Sequence, residues 1–210
     1  MKVTTVERDG PICCIDSEKE KDEMNIVLFT GSPRKGATEG MADAFQAAAE
    51  ARGVEVVRFN ASKMDVAPCK GCDACMRTKS RCVFNDGFTA FTDALLAADG
   101  IVFATPLYWY TWSAQIKKVI DRFCSYLFIN GGTAFKGKVA ALIASCGEPT
   151  EEVFGGLIFS YERILAMLGM KDVGRVLLTG VFERPDAYKS TDAGVRAAAL
   201  AEKMASNGPL

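Results

Sequence analysis

Cys69, Cys72, Cys75 and Cys82 all fall within "PCKGCDACMRTKSRC", residues 68–82, half of the eight cysteines in the chain. A thiolate is both a nucleophile and a soft metal ligand, so such density has several chemical readings. The C-x2-C-x2-C run lets three thiolates face one iron–sulfur cube, with Cys82 able to close the fourth corner. Zinc sites of four cysteines more often pair two knuckles across a longer excursion and give structure rather than redox chemistry. A Cys-x-x-Cys redox pair leaves Cys69 and Cys82 over. A loop lining a substrate-side surface needs no metal at all. Lys70, Arg77, Lys79 and Arg81 surround the thiols, a setting that lowers thiol pKa or offsets the charge of a bound cluster.

Three further stretches carry polar or aromatic chemistry. "TGSPRKGATEG" follows an apolar run and opens an amphipathic one. Its small residues let backbone N–H groups approach an anion, Ser32 and Thr38 offer hydroxyls, and Arg34 can add a charge-assisted bond. It is neither GxxxxGK[ST] nor GxGxxG, which favours a single phosphate over a triphosphate or a dinucleotide. "ATPLYWYTWSAQ" crowds Tyr108, Trp109, Tyr110 and Trp112 into one loop, area that suits a flat ring or a partner subunit unless it folds into the core. "SCGEPTEE" presents Cys146 and Gly147 after another apolar run, a weaker signal because an isolated cysteine is often a small buried hydrophobe.

Composition narrows the chemistry. The 210 residues hold no histidine, which removes Ser-His-Asp and Cys-His nucleophile pairs and imidazole bases. A net charge of −1 provides no global field toward nucleic acid or an anionic membrane, so partners are expected among small molecules and proteins. No apolar run reaches the length of a membrane span, and the N-terminal stretch lacks the apolar core of a signal peptide. A cytoplasmic location follows, where structural disulfides are rare and a Cys cluster reads as metal-binding or catalytic.

The elements that must position these residues alternate regularly. "NIVLFT", "VEVVRFN", "GIVFATPLY", "GKVAALIASCG" and "VGRVLLTGV" read as strands. Helices are expected over "MADAFQAAAEARG", "FTAFTDALLAAD", "SAQIKKVIDRFCSYLF", "EEVFGGLIFSYERILAMLG" and "AGVRAAALAEKMA". That order predicts one α/β domain over residues 25–210, a doubly wound five-stranded parallel sheet with helices on both faces. Ligands in such sheets bind at the strands' carboxyl ends, where the polar loops lie. Residues 1–24 stand outside the alternation as an N-terminal arm, and residues 62–84 form a Cys-rich loop. Cys13 and Cys14 are adjacent and poorly placed to pair with each other, and Cys124 reads as packing within a helix.

"GSPRKGATE" resembles the FMN-phosphate loop of the flavodoxin-like NADPH-dependent FMN reductase family, and "SAQ-K--IDR" and the Pro-x-Tyr segment resemble its flavin-wrapping loop. "APCKGCDACMRTKSRC" resembles the compact motif of that group's iron–sulfur flavoprotein branch. The resemblance implies a flavodoxin-like fold, FMN as cofactor and NAD(P)H as electron donor. It implies FMN contacts from Ser32, Arg34 and Thr38, from Thr105, Pro106, Leu107, Tyr108 and Trp109, and from the backbone amides of Cys146 and Gly147. It also implies a 4Fe-4S cluster on Cys69, Cys72, Cys75 and Cys82, exchange with a carrier such as ferredoxin, and a homo-oligomer. In the family an Asn often precedes the threonine; here Ala37 stands there, so that phosphate contact is missing or replaced. Members with a similar Cys loop and no known cluster leave the empty loop and zinc open. An FMN-dependent oxidoreductase is the expected function, with a non-enzymatic flavin and iron–sulfur carrier or redox sensor as the alternative.

Overall fold

Five apolar runs form strands: β1 (Asn25–Thr30), β2 (Glu55–Asn60), β3 (Gly100–Pro106), β4 (Val139–Ser145) and β5 (Lys171–Leu178). The structure is a computed structural model and describes residues 24–182 and 186–207. The expected arm over residues 1–24, with Cys13 and Cys14, therefore lies outside the described residues except for Met24. All the strand pairings are parallel, in the order β2-β1-β3-β4-β5. Every residue of β3 and β4 is buried, which is why those segments are continuously apolar, whereas β2 at the edge alternates with polar positions.

Alternation along the buried strands feeds two cores. Ile26, Leu28, Val102 and Ile143 meet helices α1 (Ala37–Glu50) and α6 (Ala193–Ser206) on one face. Val27, Phe29, Phe103 and Leu142 meet α3 (Gly87–Ala97), α4 (Ala114–Ile120) and α5 (Gly155–Leu168) on the other. A short helix, α2 (Ala74–Thr78), lies inside the Cys-rich loop. No described helix is long and apolar enough to cross a membrane.

The single long helix expected over residues 113–128 is replaced by α4 and a 3-10 segment, Phe123–Gly132. Ser125 N–H donates to the Arg122 carbonyl at 3.1 Å, the tighter i+3 pattern, and this turns Phe123 and Tyr126 inward. Their rings stand 4.7 Å apart, and Tyr126 meets Phe135 at 4.5 Å. The helix expected from Glu151 begins as a 3-10 turn, Glu151–Phe154, before α5. β5 starts two residues before the expected Val173, with a register irregularity opposite Ala140 and Ala141.

Because β1 is followed by β2 on one side and β3 lies on its other side, the loops after β1 and β3 part and leave a crevice. Gly31 is required at its floor. A Cβ there would stand 2.4 Å from Ile116 Cγ1 and 2.7 Å from Ser113 Oγ, so only glycine lets the end of β1 pass the start of α4.

Candidate functional site

Ser32, Arg34 and Thr38 from the loop after β1, Pro106, Leu107 and Tyr108 after β3, and Cys146 and Gly147 after β4 line one cavity of about 480 Å³. That size lies within the range of small-molecule sites. Lys35, Gly36, Ala37, Ser145, Val181 and Phe182 complete the lining. Of these, sequence reasoning named only Ala37, as standing where the family often has Asn; Lys35, Gly36 and Ser145 could have been inferred as neighbours of the marked residues, whereas nothing marks Phe182 before the fold brings the segment after β5 alongside.

The first loop is built to receive an anion. Ser32 Oγ donates to the Arg34 carbonyl at 2.7 Å, which folds the loop back on itself, and Gly31 N–H donates to the Ala104 carbonyl at 2.8 Å. α1 then begins after Gly36 with no side chain capping it, so the N–H groups of its first turn and its positive dipole end face the cavity. Thr38 Oγ1 and Ser145 Oγ share a buried hydrogen bond of 2.6 Å, which locks the start of α1 to the end of β4.

Thr105, expected to touch a flavin, is instead fully buried beneath the second loop. Its hydroxyl donates to the Pro106 carbonyl at 2.9 Å and accepts from Ser113 N–H at 3.2 Å, so it positions the loop. Ser113 Oγ donates to the Gly31 carbonyl at 3.0 Å, which joins the second loop to the first. In the third loop the Cys146 amide donates to the Leu178 carbonyl at 2.9 Å, so it is not free to meet a ligand, whereas the Gly147 amide has no backbone partner among the described residues. Burial pushes the Cys146 thiol up from its ordinary pKa.

The four aromatics separate. Trp112 is buried, with its Nε1 donating to Ser160 Oγ at 2.8 Å. Trp109 is 92% exposed. Tyr108 and Thr111 exchange backbone hydrogen bonds of 3.1 and 3.2 Å around Trp109 and Tyr110, whose φ angles are +47° and +64°. This is a two-residue hairpin made without the glycine or asparagine that its positive φ angles favour. Trp109, Tyr110 and Glu148 border an adjoining opening that shares Leu107, Cys146, Gly147 and Phe182 with the cavity.

The thiols gather beyond the edge of the sheet, in the loop that follows β2. Cys69 and Cys72 are exposed, Cys75 and Cys82 half-buried, and all six described cysteines are free. Arg122, whose side chain is fully buried, donates to the Asp86 carboxylate at 2.6 and 2.8 Å, to the carbonyls of Ala67 and Phe84 at 3.3 and 3.1 Å, and to Cys82 Sγ at 3.2 Å. Burial pushes the Asp86 carboxyl up, but Arg122 and the N–H groups of Phe88 and Ala67 outweigh it and hold it below the usual carboxylate range. The basic residues of the loop are largely engaged in holding it: Lys70 lies over the Phe84 ring, Arg77 bonds the Cys72 carbonyl and Arg81 pairs with Asp93.

Cys124, expected to be packing, is exposed, and its Sγ stands 3.7 Å from Cys75 Sγ. Desolvation and the Cys75 thiol, with smaller effects of Cys69 and Cys82, push its pKa up to about 12. Among the described residues no group of three or more Cys, Asp or Glu side chains stands close enough to hold a single metal ion. A cube binds each thiolate to a different iron and spaces its ligands more widely. Four free thiols on one short loop, one of them accepting an N–H bond from a buried arginine, form a donor set that fits an iron–sulfur cluster.

The sequence profile of the NADPH-dependent FMN reductase family matches residues 24–180. An iron-sulfur flavoprotein of Archaeoglobus fulgidus is 34% identical over 197 residues, 85% of this chain and 98% of that protein. An iron-sulfur flavoprotein of Methanosarcina thermophila is 38% identical over 125 residues, 59% of this chain and 64% of that one, so the match spans less than two thirds of the latter. Among solved structures, an NAD(P)H:quinone oxidoreductase of Methanothermobacter marburgensis superimposes with a TM-score of 0.69 at 17% identity, covering 87% of this chain and 96% of that one, a likeness of fold.

Proposed function

The chain belongs to the NADPH-dependent FMN reductase family, and from that membership we propose that it is an FMN-dependent oxidoreductase drawing electrons from NAD(P)H or from a reduced carrier such as a ferredoxin. The observation that carries the reading is the cavity at the strand ends, where the uncapped start of α1 and Arg34 meet an aromatic loop and a free amide edge. When bound, FMN supplies uptake of a hydride from a nicotinamide and release of electrons singly or in pairs. Ser32, Arg34, Thr38 and the first N–H groups of α1 would hold the phosphate, Pro106, Leu107, Tyr108 and Trp109 would contact the ring, and Gly147 N–H would donate to it. Thr105 and Cys146 act from beneath by fixing these loops. No side-chain acid or base is required, in keeping with a chain free of histidine.

The proposal extends to a 4Fe-4S cluster on Cys69, Cys72, Cys75 and Cys82, supported by the donor set and by relatives named as iron-sulfur flavoproteins. Such a cluster supplies one-electron exchange with a protein partner. The chain's part is to hold the four thiols, with Arg122 fixing the position of Cys82. A homo-oligomer in the reducing cytoplasm completes the reading, supported by Phe159 and Met167, which stand exposed along α5, and by the free thiols.

Anaerobic purification followed by iron, acid-labile sulfide and FMN analysis tests it. About four iron and four sulfide per FMN are expected, together with NAD(P)H oxidation in the presence of a quinone or free flavin. FMN without iron removes the cluster and leaves the reductase. Reduction by ferredoxin with no response to NAD(P)H points to the carrier instead.

A further inference from the structure

We propose that Cys75 and Cys124 form a reversible disulfide when the thiol loop holds no metal, a modification that withdraws Cys75 from cluster binding. Only that consequence rests on the cluster reading above; the bond itself rests on geometry. The two sulfurs are already in van der Waals contact at 3.7 Å although 49 residues separate them in sequence. Among the described residues no other two cysteines pair in this way. A disulfide requires about 2.05 Å, so the sulfurs must approach by less than the length of one residue.

The two elements differ in how readily they move. Cys124 belongs to the 3-10 segment whose neighbours Phe123 and Tyr126 are sunk in the aromatic core. Cys75 sits in α2, a five-residue helix that contributes no buried residue and is flanked by left-handed Asp73 and Lys79. α2 is therefore the part that shifts, and Cys124 is the fixed post to which it ties. Cys124 is otherwise an exposed thiol with no role in the flavin cavity or in the C-x2-C-x2-C run.

A low-molecular-weight disulfide such as oxidised glutathione suffices as oxidant. One cysteine thiolate attacks a sulfur of the small disulfide, forming a mixed disulfide and expelling one thiolate. The second cysteine then attacks the protein sulfur of that mixed disulfide, making the Cys75–Cys124 bond and expelling the other. The protein loses two electrons and two thiol hydrogens, and the small disulfide leaves as two thiols. A dithiol reverses the reaction.

Full-length protein is stripped of iron with a chelator under reductant, freed of both, treated with oxidised glutathione, alkylated in denaturant and digested with trypsin without reduction. The expected product joins peptide 71–77 to peptide 123–136, with fragmentation placing the link at Cys75 and not Cys72; Cys72→Ser retains it, and Cys124→Ser leaves Cys75 open to alkylation. Recovery of Cys124 alkylated, or carrying glutathione alone, while other thiols have been oxidised overturns the proposal. For the consequence, oxidised wild type is expected to take up iron and sulfide only after dithiothreitol, whereas Cys124→Ser treated identically takes them up without it. FMN binding by Cys124→Ser checks that the variant is folded. Equal uptake by both proteins overturns the gating. A Cys75–Cys124 link in a protein that binds no iron under any condition sinks the cluster reading and leaves the disulfide standing.

Discussion

Arg122 Nη1 stands 2.6 Å from Asp86 Oδ2, and the Arg122 side chain has no exposed surface. The same guanidinium reaches the Ala67 carbonyl, before the first loop thiol, and Cys82 and Phe84, at the last. One buried cation therefore fixes both ends of the Cys-rich loop. Asp86 is held from its own side as well, because it caps α3 by accepting from Phe88 N–H at 3.0 Å.

Removing one member of a buried pair leaves the other charge without compensation, at a cost of roughly 3–5 kcal/mol. Arg122→Met is expected to lose about that much in denaturant unfolding of the metal-free, reduced protein. The double variant Arg122→Met with Asp86→Asn should recover part of the loss, because the stranded carboxylate is gone. A single variant within about 0.5 kcal/mol of wild type, the range of an ordinary surface substitution, would show that the pair does not hold the loop.

The depressed pKa of Asp86 sets an acid limit. A carboxyl held below its unfolded value contributes stability above that value, about 3.9, and loses it progressively as pH falls toward the folded pKa. Unfolding free energies of wild type and Asp86→Asn should therefore differ by a constant amount near pH 6 and converge below about pH 4. Parallel curves down to pH 3 would mean that Asp86 does not titrate with unfolding.

Trp109 holds φ +47° with nearly all its surface exposed, so the hairpin bears backbone strain that no burial in the chain offsets. A left-handed residue other than glycine costs about 1–2 kcal/mol, partly offset on substitution because glycine gains entropy in the unfolded chain. Trp109→Gly should keep or slightly raise stability while weakening FMN binding about tenfold, or about 1.4 kcal/mol. Isothermal titration and thermal unfolding read the two effects separately. Lower stability with unchanged FMN affinity would place Trp109 in the fold and outside the site.

The sheet and its crevice were legible because buried parallel strands are continuously apolar and the polar loops fall at their ends. β3 and β4, buried throughout, stand out most clearly. Long-range relationships were not legible. Cys124 reads as packing because it lies within an expected helix, and nothing local shows that a 3-10 turn points its sulfur at Cys75. Nothing in the local sequence marks Arg122 as buried, and its burial depends on the approach of Asp86 from a distant segment. Trp109 and Trp112 look alike in the string, yet the hairpin sends one to solvent and the other under α5.

Arg34 gives the most selective test of the phosphate cradle. Its side chain is exposed at the cavity and forms no ion pair among the described residues, so Arg34→Ala should change stability by no more than about 0.5 kcal/mol. A charge-assisted bond to phosphate is worth roughly 1.5–3 kcal/mol. FMN affinity should therefore fall roughly tenfold to a hundredfold. Riboflavin has the same ring and no phosphate, so its affinity should stay where it was. Raising the salt concentration should weaken FMN binding by wild type more than by the variant, because only the former uses the exposed cation. Equal losses for FMN and riboflavin would assign Arg34 to the ring side of the cavity, and no loss for either would remove Arg34 from the phosphate cradle.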